Sequence, residues 1–182
     1  MGIGGKAGRY MVPAACLAAV AGCDTPGPPR PHAHGEVITY ETEGGFLCGR
    51  CDALKVAVAA DGAVWIEQGH WAGDYADWRT QERALHLPPQ RIAAFRGALA
   101  RYRPARDLGL DAPESCATFW SDQPGLRVTW DDGRARVRLV YNYGCDPEAR
   151  RAMREELERA PLLLGVRGLA VPVARGVPST RM

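Results

Sequence analysis

Two cysteines, Cys48 and Cys51, stand three residues apart in the stretch CGRC, which is the spacing of a catalytic dithiol. In a thiol oxidoreductase the first cysteine lies at a helix N-terminus, because the helix dipole lowers its pKa and favours the thiolate. The residues that follow Cys51 instead read as a strand that ends at the Asp61-Gly62 turn. The sequence therefore favours a structural disulfide, and it leaves a redox-active pair and a thiolate metal site as alternatives.

A second group of side chains with chemical potential falls in the segment Gly69–Glu82, which is predicted to be a long loop. Aromatic rings beside carboxylates are typical of sugar or peptide recognition. His70 with Asp74 or Asp77 would make an acid-base pair, but no nucleophile or metal is fixed beside it. The alternative is that the tryptophans cover the sheet while the charges stay in water. The candidate binding residues are His70, Trp71, Asp74, Tyr75, Asp77 and Trp78.

The N-terminus is typical of an export signal, predicted over residues 1–22. Lys6 and Arg9 precede an uncharged run that ends in small residues and is shorter than the roughly 20 apolar residues that span a bilayer. The run closes in Val-Ala-Gly-Cys, which resembles the lipobox of bacterial lipoproteins. This resemblance implies cleavage before Cys23 and lipidation of its sulfur, and several acyl chains anchor a protein firmly in a membrane.

Residues 23–35 are rich in proline and are predicted to be a tether between the lipid and the folded domain. In a polyproline II conformation the tether reaches on the order of 35 Å, at about 3.1 Å per residue. The predicted location is therefore a cell-envelope membrane, with the domain facing the periplasm. Asp24 resembles the residue that retains some bacterial lipoproteins in the inner membrane.

The charge balance bears on the class of partner. The whole chain has 23 basic and 21 acidic side chains, and removal of Lys6 and Arg9 with the signal leaves 21 of each. A domain without net positive charge lacks the broad basic surface that phosphate backbones require, so nucleic acid is not an expected partner. The expected partners are the membrane, through the lipid, and an envelope protein or other ligand.

The remaining cysteines predict a second disulfide. Cys116 and Cys145 flank a predicted hairpin at its open end, since Cys116 precedes the first strand and Cys145 follows the second. Cysteines in an exported chain form disulfides first. We therefore predict bridges between Cys116 and Cys145 and between Cys48 and Cys51. The first closes a loop of about 30 residues and should contribute on the order of 3 to 4 kcal/mol.

The chain from 36 to 173 is predicted to form a single α+β domain, followed by a flexible tail over 174–182. Two hairpins are indicated, one around Asp61-Gly62 and one around the Asp-Asp-Gly turn that ends at Gly133. The spacing of apolar residues predicts two helices, one entered at Pro88-Pro89 and one capped by Asp146. Hairpins with two helices favour an antiparallel sheet covered by helices on one face.

The motifs resemble those of a family of exported bacterial lipoproteins with a domain of unknown function. That family carries a Cys-Phe-Gly-x-Cys-Pro-x-Tyr segment, an Asp-Gly hairpin, a Val-Thr-Trp strand, a Tyr-x-Gly-Cys-Asp segment and Ala-Pro-x-Leu-Leu. The matching stretches here are CGRC, ADG, SDQPGLRVTW, YNYGCD and APLLL. The first cysteine pair is one residue tighter than in the family, and Asp52 and Leu54 replace its proline and tyrosine. The resemblance implies an exported lipoprotein of unknown role, without catalytic residues.

These observations together predict a membrane-anchored envelope lipoprotein that acts as a binding or structural module. No cofactor, metal site or catalytic constellation is predicted. The alternative function is a thiol-disulfide oxidoreductase that uses Cys48 and Cys51.

Overall fold

The fold is built on one seven-stranded sheet. The structure is a computed structural model, and it describes residues 35–44, 52–72 and 77–169. The strands are β1 (Val37–Glu43), β2 (Ala53–Ala59), β3 (Ala63–Ala72), β4 (Asp77–His86), β5 (Leu108–Leu110), β6 (Gly125–Asp131) and β7 (Arg136–Asn142). Across the sheet they lie in the order β4-β3-β2-β1-β6-β7-β5.

The predicted α+β class, with one sheet and two helices, is confirmed, but the sheet is mixed rather than wholly antiparallel. β5 runs parallel to β7 at one edge, because the chain reaches it from a helix and not through a hairpin. Asp107 precedes β5 directly and holds it in place. Its carboxylate accepts hydrogen bonds from the backbone N–H of Arg138 at 3.0 Å and from the guanidinium of Arg138 at 2.6 Å and 3.0 Å.

Both predicted hairpins form, and local chemistry explains each turn. In the β2–β3 turn Gly62 has φ +98°, and the Asp61 carboxylate accepts the N–H of Ala63 at 3.0 Å. In the β6–β7 turn Gly133 has φ +82°, and its N–H donates to the Asp131 carboxylate at 2.9 Å. Glycine adopts positive φ without the steric cost that a Cβ imposes. The chain therefore reverses at both predicted positions.

Two helices cover one face of the sheet, which we call the inner face. Helix α1 (Pro89–Ala100) buries Ile92, Phe95 and Leu99, and helix α2 (Arg151–Arg159) buries Leu157. Full burial of a large apolar side chain contributes roughly 1.5–3 kcal/mol. The strand residues in this core are Ile38, Tyr40, Leu54, Val56, Val58, Val64, Ile66, Leu110, Leu126, Val128, Trp130, Leu139 and Tyr141. No helix of the described part of the chain is long and apolar enough to cross a membrane.

Two local expectations are corrected by the structure. The segment 69–82, predicted as a loop, belongs to strands β3 and β4 apart from its central residues. Asp146, predicted as a helix cap, lies at φ 48°, and its carboxylate accepts the N–H of Thr118 at 2.8 Å. Helix α2 begins only at Arg151, because Asp146 holds the chain against the segment that follows Cys116.

Several predictions fall on parts of the chain outside the described residues. These are the signal over residues 1–22, nearly all of the tether with the lipidated Cys23, the CGRC stretch and the tail. Asp74 and Tyr75 also lie outside the described residues. The pairing of Cys48 with Cys51 therefore stays a prediction.

Candidate functional site

The β3–β4 hairpin forms one side of the sheet and extends beyond its neighbour. The described pairing between β2 and β3 ends at Ala53 and Gly69, whereas β3 and β4 stay in register as far as Ala72 and Asp77. Successive side chains of a strand point to opposite faces. The odd-numbered residues of β3, such as Trp71, therefore lie on the outer face, which is the sheet face opposite the helices.

Two tryptophans mark the projecting end of this hairpin. Trp71 lies directly opposite Trp78 in the register, and their ring centroids are 5.2 Å apart with the planes at 71°. The side chains are 43% and 41% exposed. Cross-strand aromatic pairs stabilise a hairpin, and the edge-to-face arrangement is favourable for the ring quadrupoles. The result is an apolar surface that is held in a defined orientation on regular strands.

Two carboxylates lie on the same outer face, four residues from the tryptophans along each strand. Glu67 on β3 is directly opposite Glu82 on β4. Lys55 faces Glu67 from β2, but its ammonium pairs with Glu41. Neither Glu67 nor Glu82 forms an ion pair within the part of the chain that the structure describes. Like charges directly opposite each other are unfavourable, so this position favours the approach of a cation.

β4 is an edge strand in the sheet that the structure describes, and its outer side presents backbone hydrogen-bonding groups. The N–H of Leu87 donates to the carbonyl of Gly62 at 2.9 Å, which sets the alternation of bonds between β3 and β4. In an antiparallel ladder every second residue bonds the neighbouring strand, and the residues between them point their N–H and C=O groups away from it. The outward-pointing residues of β4 are Trp78, Thr80, Glu82, Ala84 and His86.

The acid-base pair considered for His70 and Asp77 does not form. The Asp77 carboxylate accepts a hydrogen bond from Nε of Arg79 at 2.8 Å, and both side chains are exposed. His70 and Trp71 are adjacent on β3 and therefore point to opposite faces. The four candidate residues that the structure describes, His70, Trp71, Asp77 and Trp78, thus do not converge on one point. Only the two tryptophans come together among those that the structure describes.

The predicted bridge between Cys116 and Cys145 is present, with 5.3 Å between the Cα atoms. Cys145 is fully buried and pairs with Phe119 through an isolated β-bridge. The N–H of Trp120 donates to the carbonyl of Gly144 at 2.9 Å. The bridge therefore fastens the segment before β6 to the end of β7. Within the described ranges, no three His, Cys, Asp or Glu side chains are close enough together to hold a metal ion.

A shallow groove of about 640 Å³ lies on the outer face near the start of β1. Its charged side chains are largely paired with each other. Lys55 pairs with Glu41, and Arg136 binds Asp131 at 2.6 Å. Such partly exposed pairs contribute little stability each and satisfy one another. The charged side chains of the groove are consequently less available to a ligand than Glu67 and Glu82.

The titratable groups beneath α2 belong to the core. Burial raises the pKa of Tyr40 and of Tyr143. Burial also raises the pKa of the Glu158 carboxyl, and the nearby charge of Arg154 partly offsets this increase. Tyr40 and Tyr143 are buried in the apolar cluster between the sheet and α2. These groups affect the pH dependence of stability, and they do not line the groove on the outer face.

Comparison with known protein families gives no match, and a search of the curated proteins gives no relative. The proposals below therefore depend on the sequence and the geometry alone. The β4 edge and the Glu67–Glu82 pair were not predicted from the sequence. The sequence signals that would have indicated the hairpin are Gly73-Asp74, typical of a turn, and two tryptophans, Trp71 and Trp78, placed symmetrically about Asp74 and Tyr75.

Proposed function

We propose that this protein is a non-enzymatic binding module of the cell envelope, anchored by lipid on Cys23, which holds its partner through the β3–β4 hairpin. The observation that carries this proposal is the exposed pair of Trp71 and Trp78. Tryptophan is enriched among the residues that dominate binding energies, because a large rigid ring loses little entropy when it is covered. Regular strands place both rings before any partner arrives.

The position of the pair supports a partner away from the anchoring membrane. The tether precedes Gly35 and enters the sheet at the start of β1, and Glu43 lies at the other end of that strand. Glu41 pairs with Lys55, and Lys55 pairs with Glu67, so Trp71 lies four residues beyond this cross-strand row on the side away from the start of β1. Seven residues of strand span roughly 20 Å. The tryptophans therefore lie at the end of the sheet opposite the start of β1, which supports a partner on the side away from the anchor.

The test places a photo-crosslinking amino acid at Thr80, between Trp78 and Glu82, in the full-length protein expressed in its native envelope. The matched control places the same amino acid at Arg134, an exposed residue in the β6–β7 turn. We expect a discrete crosslinked product from position 80 that disappears when Trp78→Thr is added. Equal products from both positions, or a product that survives Trp78→Thr, would overturn the proposal of a binding hairpin.

The anchoring part of the proposal is tested separately with Cys23→Ala. We expect the wild-type chain to incorporate labelled fatty acid and to sediment with membranes. The Cys23→Ala chain should incorporate none. Label that persists in Cys23→Ala, or a wild-type chain that carries none, would contradict lipidation at this residue.

A further inference from the structure

The longest open edge in the described part of the sheet is β4, and its chemistry identifies the kind of segment that fits it. We propose that β4 receives an extended, lysine- or arginine-rich segment of a partner protein, which adds to the sheet as an eighth strand. This inference rests on the proposed binding function of the hairpin and specifies its partner. The other edge, β5, has three residues, whereas β4 has ten.

Proteins usually protect a long edge strand with charged side chains, above all lysine, with proline, with a bulge, or by keeping the strand very short. β4 has charged side chains, but it contains no lysine or proline, and its register with β3 is continuous over all ten residues. Within the part of the chain that the structure describes, its outward-pointing backbone groups are therefore available for main-chain hydrogen bonds with an extended peptide.

Charge selects a basic segment. A residue added opposite Glu82 on the outer face lies beside that carboxylate, and Glu67 is one strand further along the same cross-strand row. The long side chain of a lysine or arginine there reaches Glu82 and extends toward Glu67, and neither carboxylate has a cationic partner among the described residues. A second basic side chain, two or four residues along the segment, lies near the Trp78 ring, and cations bind favourably over indole faces.

The arginines on the inner face of β4 do not require acidic residues in the added segment. Arg79 is paired with Asp77, and the Arg83 guanidinium donates to the Gln68 amide oxygen at 2.7 Å. Both cations thus have partners already. The segment that fits has basic residues on alternate positions, facing outward, with small or polar residues between them.

A second copy of this chain fits the edge less well. Antiparallel pairing brings outward-pointing residues of one edge opposite outward-pointing residues of the other. That set in β4 contains neither lysine nor arginine, and its basic candidate is the terminal His86. Self-pairing over most of the strand therefore leaves Glu82 without a cation. A partner of different sequence supplies what this edge lacks.

The test uses the purified full-length protein and a capped nine-residue peptide that alternates threonine and lysine. The control peptide has glutamate in place of lysine. We expect binding of the lysine peptide, measured by calorimetry and tryptophan fluorescence, and at least tenfold weaker binding to the Glu67→Gln/Glu82→Gln variant. The glutamate peptide should not bind. Equal affinity of both peptides, or of wild type and the double variant, would overturn the proposal.

Strand addition itself is tested at Ala84. Ala84→Pro removes an N–H that points away from β3, so the β3–β4 ladder keeps its bonds. Ala84→Ser retains the N–H and is the matched control. We expect at least tenfold weaker binding with proline and unchanged binding with serine. Wild-type affinity in a folded Ala84→Pro variant would exclude pairing at this edge, and the charge variant tests the proposal independently if proline prevents folding.

The outcomes separate this inference from the proposed function. A crosslinked partner at position 80 with no affinity for the lysine peptide overturns the basic segment and leaves the binding hairpin intact. Affinity for the lysine peptide without any crosslinked partner in the envelope contradicts the proposed function and leaves the chemistry of the edge intact. A dimer in sedimentation that Ala84→Pro dissociates would identify a second copy as the occupant and overturn the proposal.

Discussion

The indole ring of Trp78 lies over the backbone of Gly69 on the neighbouring strand. A Cβ added at Gly69 would overlap with Cζ2 of Trp78, and Gly69 is buried beneath the ring. An aromatic side chain beside a strand glycine covers the backbone that the glycine leaves bare. The absence of a side chain at one position therefore decides where the ring on the next strand lies.

We expect Gly69→Ala to displace the Trp78 ring and disrupt its edge-to-face contact with Trp71. An aromatic pair contributes about 0.5–1.5 kcal/mol beyond its buried area, and a loss of that order is expected in the free energy of unfolding. Near-UV circular dichroism should lose signal from coupled indoles.

The control for this change is Gly97→Ala, because nothing lies within 4 Å of a Cβ at Gly97 on α1. Alanine in a helix is more stable than glycine by roughly 0.5–1 kcal/mol, so this variant should gain stability. A Gly69→Ala variant with unchanged dichroism and urea midpoint would contradict the packing described here.

Loss of the Cys116–Cys145 bridge should destabilise the domain by about 3–4 kcal/mol, through the larger entropy of the unfolded chain. The double variant Cys116→Ala/Cys145→Ala should show this loss in urea denaturation. Reduction of the wild type should have a similar effect. In the double variant, the increase in amide hydrogen exchange relative to the wild type should be largest at Thr118 and Trp120. The N–H groups of these residues bond to the chain around the bridge. Equal stability of the oxidised wild type and the double variant would contradict a structural role.

The carboxyl of Glu158 should make stability decrease as pH rises. Burial raises its pKa in the folded protein above the ordinary value of 4.5, so the folded state binds the proton more tightly than the unfolded state. Its contribution is therefore most favourable below the unfolded pKa and is lost as pH rises through the folded pKa. Glu158→Gln should gain stability relative to wild type between pH 4 and pH 7. Thermal melts across this range provide the measurement, and a difference that is independent of pH would contradict the shift.

The pairing of β5 with β7 should depend on Asp107. Hydrogen bonds from Arg138 hold the pKa of this carboxyl below its usual range. These hydrogen bonds therefore weaken as the pH falls through the pKa of the folded protein. Asp107→Asn should speed amide exchange in Leu108–Leu110 several-fold with little change in global stability. Asp111→Asn is the control, because Asp111 directly follows the other end of β5. Equal amide exchange rates in both variants would show that β5 pairs with β7 without the hydrogen bonds between Asp107 and Arg138.

The parts of the fold that were predictable from the sequence have short-range causes. The turns at Gly62 and Gly133 require positive φ, which the adjacent aspartates stabilise through bonds to nearby N–H groups. The stripe of Ile92, Phe95 and Leu99 follows from the helical repeat. The bridge of Cys116 and Cys145 followed from their places around one hairpin. In the turns and in α1 the determining residues lie within a few positions of each other, and the two cysteines, although 29 residues apart, flank a single hairpin.

The candidate site depended on tertiary structure. β4 has exposed side chains at most positions, so no buried face imposes the alternation by which strands are recognised. The opposition of Glu67 to Glu82, and of Trp71 to Trp78, exists only because one register of β3 and β4 was selected. Likewise β1 joins β6, far along the chain, and Asp107 draws β5 to β7. Local sequence determined the turns and the apolar stripe of α1, because their energies are local, and the hairpin between Cys116 and Cys145 brought the two cysteines together. Pairing between distant strands placed the edge, the carboxylates and the rings, because those energies arise only after the strands meet.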